Sequence, residues 1–161
     1  MSATNRGSER IAQDNYPTPL TAFEPLIPFL PADGPVWEPA CGDGRLISAM
    51  RQYGIDADGN DIVNGYDFLK DGTRRFSIVT NPPFSLAFEF AQWAVGHAVH
   101  VFLLLRLNFL ASGKRREWFS THEPNALFVL CKRPSFVNGG TDCTDYAWYY
   151  WGPSVGGIHH I

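Results

Sequence analysis

Four consecutive residues, Asn81-Pro82-Pro83-Phe84, bring together a side-chain amide, two carbonyls of fixed direction and a flat apolar ring. They follow an apolar, β-branched run, Phe76–Thr80. Two prolines in succession cannot extend a central strand, because neither ring nitrogen carries a donor and both φ angles are fixed. The chain must therefore leave a strand at Asn81 and turn a rigid corner. Such a corner can grip a planar, hydrogen-bonding group such as a nucleobase. A Pro-Pro turn can also be just a turn, so the neighbouring motifs have to decide.

A second set of groups lies upstream. Glu38-Pro39-Ala40-Cys41-Gly42-Asp43-Gly44 sits between a short strand and a helix. Glycines let a ligand approach the backbone closely, and open α/β sheets hold ligands at the carboxyl ends of their strands. The segment is not GxGxxG and no Lys-Ser/Thr follows it, which excludes a Walker loop and the standard dinucleotide fingerprint. Glu38 and Asp43 would repel a pyrophosphate but could receive an ammonium or a ribose. Asp61 comes 19 residues after Gly42, close to the spacing of about 20 at which an acid meets ribose hydroxyls. Asp67-Phe68 adds an acid and a ring at the next strand end.

These groups need a scaffold. Residues 1–13 are polar and aperiodic and read as a mobile tail. Asp14-Asn15-Tyr16-Pro17-Thr18-Pro19 is a rigid, extended lead-in, with Thr18 as a helix cap and Pro19 as the first helical residue. Pro25 and Pro28 allow only a short or broken helix after it. The spacing then predicts a strand Val36–Glu38 and a helix Arg45–Tyr53 with Leu46, Ile47, Met50 and Tyr53 on one face, stopped by Gly54. A weak strand ends at Asp61-Ile62, and a weaker one lies near Tyr66-Asp67-Phe68. After the Phe76–Thr80 strand, Ser85 caps a helix to about Val95, with Gly96 beyond its end. Val99–Leu107 is nearly continuous apolar sequence broken by Arg106, as expected for a parallel strand buried on both faces. A helix Lys114–Thr121 and two final strands, Ala126–Arg133 and Asp145–Trp151, complete the pattern. Strand–helix alternation ending in two strands predicts an α/β, mostly parallel sheet with a C-terminal antiparallel hairpin. Tyr146–Trp151 reads as sheet core, with Trp148 and Tyr150 on one face.

With 161 residues, 45% hydrophobic and 18% charged, the chain reads as one globular domain over 14–161 after its tail. No run of about 18 apolar residues predicts a membrane span, and no apolar signal core predicts export. Cys41, Cys131 and Cys143 form no CxxC and read as reduced thiols, which points to the cytoplasm. Net charge is −3, yet seven of the 13 Lys and Arg residues fall in three clusters, Arg74-Arg75, Lys114–Arg116 and Lys132-Arg133. Such clusters can form a phosphate-binding stripe or an ordinary solvated surface. Arg106, Asn108, Lys114, Arg115 and Arg116 follow the buried strand at the edge where a site would lie and are candidates for nucleic-acid phosphates; Arg106 could instead pair with a local acid. The loop Pro134-Ser135-Phe136 with Asn138–Thr141 either touches the target or is plain surface. His97 and His100 lack a ligand set, and His159-His160 at the tail lack a third ligand, so no metal is expected.

The ordered motifs resemble those of class I S-adenosylmethionine-dependent methyltransferases, in particular the short, phage-type DNA adenine-N6 methyltransferases. The resemblance runs from Asp14 to Trp151; the Asn-Pro-Pro-Phe corner is its specific element, and the glycine loop is common to the wider superfamily. It implies a Rossmann-like sheet, S-adenosylmethionine as cofactor with S-adenosylhomocysteine as product, and DNA as partner in the cytoplasm of a host cell if the chain is phage-encoded. It implies that Tyr16 and Thr18 lie against the cofactor and that Glu38, Pro39, Cys41 and Gly42 border its methionine half. Asp61 would receive its ribose, and Ile62, Asp67 and Phe68 would hold its adenine. Asn81 and the Pro82 carbonyl would accept from the target amino group, Pro83 would stiffen the corner, and Phe84 would stack on the target base. RNA adenine and protein glutamine methyltransferases share an Asn-Pro-Pro-aromatic corner, and the glutamine enzymes usually end it with Tyr. A non-catalytic cofactor-binding partner subunit is a further reading, disfavoured by the intact corner. No block of roughly 60–100 residues, the scale of a small domain, is left for separate target recognition, which leaves lax specificity, a homodimer or reading by short loops.

Overall fold

The structure, a computed structural model, describes residues 16–136 and 143–161. The expected N-terminal tail, Asp14-Asn15 and the loop positions Asn138–Thr141 lie outside the described residues. The described strands are β1 (Val36–Glu38), β2 (Ala57–Gly59), β3 (Arg75–Thr80), β4 (Ala98–Arg106), β5 (Ala126–Val129), β6 (Tyr146–Trp151) and β7 (Gly157–His160). The α-helices are α1 (Leu20–Phe23), α2 (Arg45–Gln52), α3 (Ala87–His97) and α4 (Arg116–Phe119). The strands form one sheet in the order β2-β1-β3-β4-β6-β5-β7. The first four are parallel, β6 runs antiparallel between β4 and β5, and β7 is parallel to β5.

Two apolar layers cover the sheet, and strand alternation assigns side chains to them. In β4, Phe102 and Leu104 enter one core, and Val101, Leu103 and Leu105 enter the other. In β6, Tyr146, Trp148 and Tyr150 face the first core, and Ala147, Tyr149 and Trp151 the second. A strand covered on both faces has no need of polar alternation, so these segments read as solid apolar runs. Trp148 buries its indole and donates its N–H to the Ala22 carbonyl at 2.7 Å, which fixes α1 beneath the sheet. In α2, Leu46, Ile47, Ala49 and Met50 are buried against the sheet, each large side chain contributing about 1.5–3 kcal/mol by leaving water.

Several local expectations need correction. Thr18 caps no helix; Pro19, extended at ψ 137°, stands at the cap position without a side-chain bond, and Thr18 is buried instead. The strand expected to end at Asp61-Ile62 stops at Gly59, because the Asp61 carboxylate accepts from the Val63 N–H and starts a 3₁₀ turn. The strand expected near Tyr66–Phe68 is replaced by a second such turn, Phe68–Lys70, with Asp67 accepting from the Leu69 N–H. Short acidic side chains offer backbone donors an alternative to the ladder, and here they win. Ser85 does not start α3: a 3₁₀ turn over Phe84–Leu86 intervenes, and Gly96 lies within a helix that runs to His97. The helix expected over Lys114–Thr121 is a 3₁₀ turn followed by the single turn of α4. Tyr53 is exposed beyond the end of α2 rather than on its buried face. Strand β7 was not expected; His159-His160 belong to it, with His159 stacked on Phe128 at 4.9 Å. No helix among the described residues is long and apolar enough to cross a membrane.

Candidate active site

The parallel strands β1 and β3 and the turn after β2 all deliver their carboxyl ends to one edge of the sheet, and a pocket opens there. Its empty space, open mouth included, is about 890 Å³. Every residue that the resemblance sets against the cofactor lines it, namely Tyr16, Thr18, Glu38, Pro39, Cys41, Gly42, Asp61, Ile62, Asp67 and Phe68, and Asn81 of the corner lines it with them. Those residues come from five separate segments, so their convergence is a property of the fold.

The glycine loop is shaped by backbone demands. Gly42 and Gly44 take left-handed φ angles of 51° and 76°, which a side chain would strain. The Gly42 N–H donates to one Asp61 carboxylate oxygen at 2.8 Å, while the other accepts from Val63. Asp61 therefore staples the loop to the turn after β2. Gly59 is needed for a different reason: a Cβ there would strike the Glu38 carbonyl, which accepts from the Asn60 N–H at 3.1 Å and carries the β1–β2 ladder into the pocket wall.

Glu38 is the electrostatic anomaly. Alternation in β1 turns it to the same side as buried Val36, and it is 2% exposed. Its Oε2 is buried without a hydrogen-bond partner. Burial pushes its carboxyl well above the usual carboxylate range, and the nearby charges of Asp43 and Asp61 push it further. Burial, followed by Glu38 and Asp61, also raises the Cys41 thiol, which keeps it protonated and unreactive. A buried acceptor facing a pocket among further acids suits a cation from a ligand. Ile62 and Val63 line the same pocket and are 60% and 62% exposed, an apolar shelf that water covers poorly. A buried acceptor and an apolar shelf in one pocket suit a ligand that carries both an ammonium and a flat ring, as S-adenosylmethionine does.

Asp67 is paired at 2.8 Å with Lys70, which lowers its carboxyl, and Phe68 is buried against Phe90. The turn carrying them is pinned from behind. The Tyr66 hydroxyl donates to Asp71 at 2.6 Å and accepts from the Trp37 indole at 3.1 Å, and Arg75 pairs with Asp71 at 3.0 Å while lying over the Trp37 ring.

The corner Asn81–Phe84 borders the other end. The Asn81 Nδ2 donates to the Tyr16 carbonyl at 3.0 Å, and Asn81 Oδ1 is buried without a partner. Pro82 is buried and Pro83 lines the pocket. Phe84 faces away from the cofactor-side pocket into a ring cluster: Tyr16 stacks on it at 5.2 Å, Phe136 meets it edge-on at 6.1 Å, and Tyr146 lies at 6.2 Å. Arg106 lies over the Phe84 ring at 4.6 Å. The other basic candidates stand apart. Arg115 donates to the Phe109 carbonyl at 2.8 Å and lies over the Phe109 ring, while Asn108, Lys114 and Arg116 are exposed on the stretch after β4. Among the described residues, no group of three or more His, Cys, Asp or Glu could hold a metal ion.

Val63, Tyr66, Leu69 and Leu86 also line the pocket and escaped the motif reading. Ile62-Val63 flanked by Asn60, Asp61 and Asn64 did carry a signal, an apolar pair inside a polar turn. Tyr16, Phe136 and Tyr146 lie far apart in sequence, and nothing local marks them as partners of Phe84.

No family model matches the chain, and no curated protein matches it. Its fold does match solved structures. One, from Listeria monocytogenes and assigned as a class I S-adenosylmethionine-dependent methyltransferase, has a TM-score of 0.63 at 10% identity, over 94% of this chain and 67% of its own. One from Pyrococcus horikoshii, assigned as an RNA methyltransferase, has a TM-score of 0.57 at 8% identity, over 84% of this chain and 82% of its own. A third, from Vibrio vulnificus and assigned as the modification subunit of a type I restriction enzyme, has a TM-score of 0.55 at 14% identity, over 97% of this chain but 46% of its own. The chain thus has the Rossmann-like fold of these methyltransferases, a mostly parallel sheet with an antiparallel hairpin.

Proposed function

We propose that the chain transfers a methyl group from S-adenosylmethionine to the N6 amino group of adenine in DNA. The observation that carries this reading is the orientation of Asn81. Its Nδ2 is committed to the Tyr16 carbonyl, so the atom left over is an acceptor, buried and without a protein partner, between the pocket and Phe84. An aromatic amino group is a poor nucleophile because its lone pair is delocalised into the ring. Acceptors placed out of the ring plane, Asn81 Oδ1 and the Pro82 carbonyl, favour a tetrahedral nitrogen and free that pair. Bound S-adenosylmethionine supplies a methyl group on a positively charged sulfur. The chain's task is then positioning and electrostatics, and the surplus proton leaves the nitrogen to water afterwards. Adenine inside a duplex is out of reach, so the target is flipped out or single-stranded.

A flat target is favoured over a glutamine side chain by the ring cluster around Phe84, and Phe rather than Tyr at the end of the corner agrees with it. The restriction-modification and RNA methyltransferase neighbours support nucleic acid as the target class by analogy of fold alone. The test is incubation with methyl-labelled cofactor and plasmid DNA, followed by hydrolysis to nucleosides. Label in 6-methyladenine is expected; label in RNA or protein and none in DNA overturns the reading.

A further inference from the structure

Arg106 follows an apolar strand at the sheet edge that carries the site, a place suited to a phosphate contact. Its surroundings argue otherwise. The guanidinium lies 4.6 Å over the centre of the Phe84 ring. Its Nε donates at 3.1 Å to the hydroxyl of Tyr146, which is fully buried. The backbone beneath it is fixed as well, because the Tyr149 hydroxyl donates to the Arg106 carbonyl at 3.0 Å. A phosphate-seeking arginine reaches outward on a flexible stem; this one is half-buried, turned inward and tied to the core. Its plane and charge match the negative face of an aromatic ring.

Phe84 otherwise has weak local support. It starts a 3₁₀ turn directly after two prolines, and Tyr16, stacked on it, belongs to an extended segment outside the sheet. An incoming base that stacks on the face of Phe84 covered by Tyr16 displaces that ring, since stacked rings at 5.2 Å leave no room for a third between them. Once Tyr16 has moved, Arg106, Tyr146 and the edge of Phe136 are what hold Phe84 in place.

We infer that Arg106 is a positioning residue of the target pocket: it holds the Phe84 ring at the angle a stacked base requires and acts on the target through Phe84 rather than through the phosphate backbone. The inference rests on the reading of Phe84 as the target-base platform. It separates two properties that a phosphate contact would join. Loss of Arg106 weakens preference for a base over no base, and leaves the salt dependence of binding as it was.

The experiment is a double-mutant cycle on the full chain with S-adenosylhomocysteine present. Binding is measured to a single-stranded oligonucleotide carrying one adenine among pyrimidines, and to the same strand abasic at that position, over a range of salt. Wild type is expected to prefer the adenine strand roughly tenfold, the scale of one base–aromatic stack. Phe84→Ala removes that preference. Arg106→Gln and Arg106→Lys each reduce it several-fold, and Phe84→Ala/Arg106→Gln is no worse than Phe84→Ala alone, as coupling through one ring requires. Losses that add, with Arg106→Lys restoring binding and Arg106→Gln lowering the salt slope by about one, overturn the inference in favour of a phosphate contact. Methyl incorporation by the wild type is read in parallel. Methylated adenine with additive losses sinks the inference alone; no methylated base at all sinks the reading of the site and the inference with it.

Discussion

On one side of Asn81 the pocket is walled by loops and left open; on the other, the space around Phe84 is filled with the protein's own rings. The open side keeps a buried Glu38 oxygen without a partner, although Asp43 pairs with Arg45 at 3.2 Å and Asp61 accepts from Gly42 and Val63. The filled side is balanced, with Tyr16, Phe136 and Tyr146 packed around Phe84 and Arg106 over it. The two sides therefore meet their ligands differently. A cation entering the open side relieves a cost already present in the free protein. On the proposed reading, a base entering the filled side parts the Tyr16–Phe84 stack, so its affinity is reduced by what that stack contributes. The segment Tyr16–Thr18 touches both sides, lining the pocket with Thr18 and covering Phe84 with the Tyr16 ring.

The largest expected effect comes at the boundary between the two sides. Asn81→Ala removes the buried acceptor and the bond that ties Tyr16 to the corner. Turnover should fall roughly a hundred- to a thousandfold, the scale for losing one preorganised polar group aimed at a developing charge. Cofactor affinity, measured by calorimetry, should change little, because the acids and the apolar shelf remain. Unchanged turnover would remove Asn81 from the chemistry; a parallel collapse of cofactor binding would erase the distinction between the sides.

Glu38→Gln probes the open side alone. Affinity for S-adenosylhomocysteine should fall roughly tenfold or more, as for loss of a charge-assisted hydrogen bond. The stability of the free protein should move the other way. Burial, with Asp43 and Asp61, raises the Glu38 carboxyl in the folded chain, whereas in the unfolded chain it titrates near about 4.3. Above that value the unfolded chain releases the proton while the folded chain keeps it. Wild-type stability therefore declines as pH rises from about 4.3 toward the folded-state value. The glutamine variant lacks this decline, so its melting temperature should exceed that of wild type at neutral pH and converge with it in acid. A variant less stable than wild type at neutral pH would mean that Glu38 is held by a partner.

The open side was far more legible in the sequence than the filled one, and the reason is geometric. The proposed cofactor groups lie at the end of β1 and on the connections that follow β1 and β2, and parallel strands deliver those connections to one edge. Reading Glu38–Gly44, Asp61 and Asp67-Phe68 along the chain is thus close to reading around the pocket. The surroundings of Phe84 come from residues 16, 106, 136 and 146, of which 106 and 146 meet through the pairing of β6 with β4 and the other two arrive on segments outside the sheet. No periodicity encodes that placement, so the sequence puts Tyr146 in the sheet core, where it lies, without showing that it adjoins Phe84 and Arg106. The weak strands at Asp61-Ile62 and Tyr66–Phe68 failed for a local reason. Asp61 and Asp67 are short acids that can cap a 3₁₀ turn as well as meet a ligand, and each caps one here. Strand β7 is four residues, Gly-Ile-His-His, with Ile158 exposed, and an edge strand so short leaves no alternation to detect.

The smallest expected effect tests how rigid the open side must be. Tyr66 lines the pocket, and its hydroxyl joins Trp37 to Asp71, behind the turn that carries Asp67 and Phe68. Burial alone would raise the Asp71 carboxyl; hydrogen bonds from Thr73, Tyr66 and Arg75 outweigh it and hold the group well below the usual carboxylate range. The stability this contributes is present above the unfolded value of about 3.9 and is lost as pH falls below it. Tyr66→Phe removes one of those bonds and leaves the Trp37 N–H without its acceptor. Loss of roughly 1–2 kcal/mol is expected, a drop in melting temperature of a few degrees at neutral pH that shrinks in acid as Asp71 protonates in both proteins. Cofactor affinity should fall several-fold with kcat unchanged, since the turn loosens while Asn81 and Phe84 stay as they are. A fall in kcat with affinity intact would mean that the two sides are not separable at Asn81, and that the pinned turn reaches the reacting amino group through the cofactor's position.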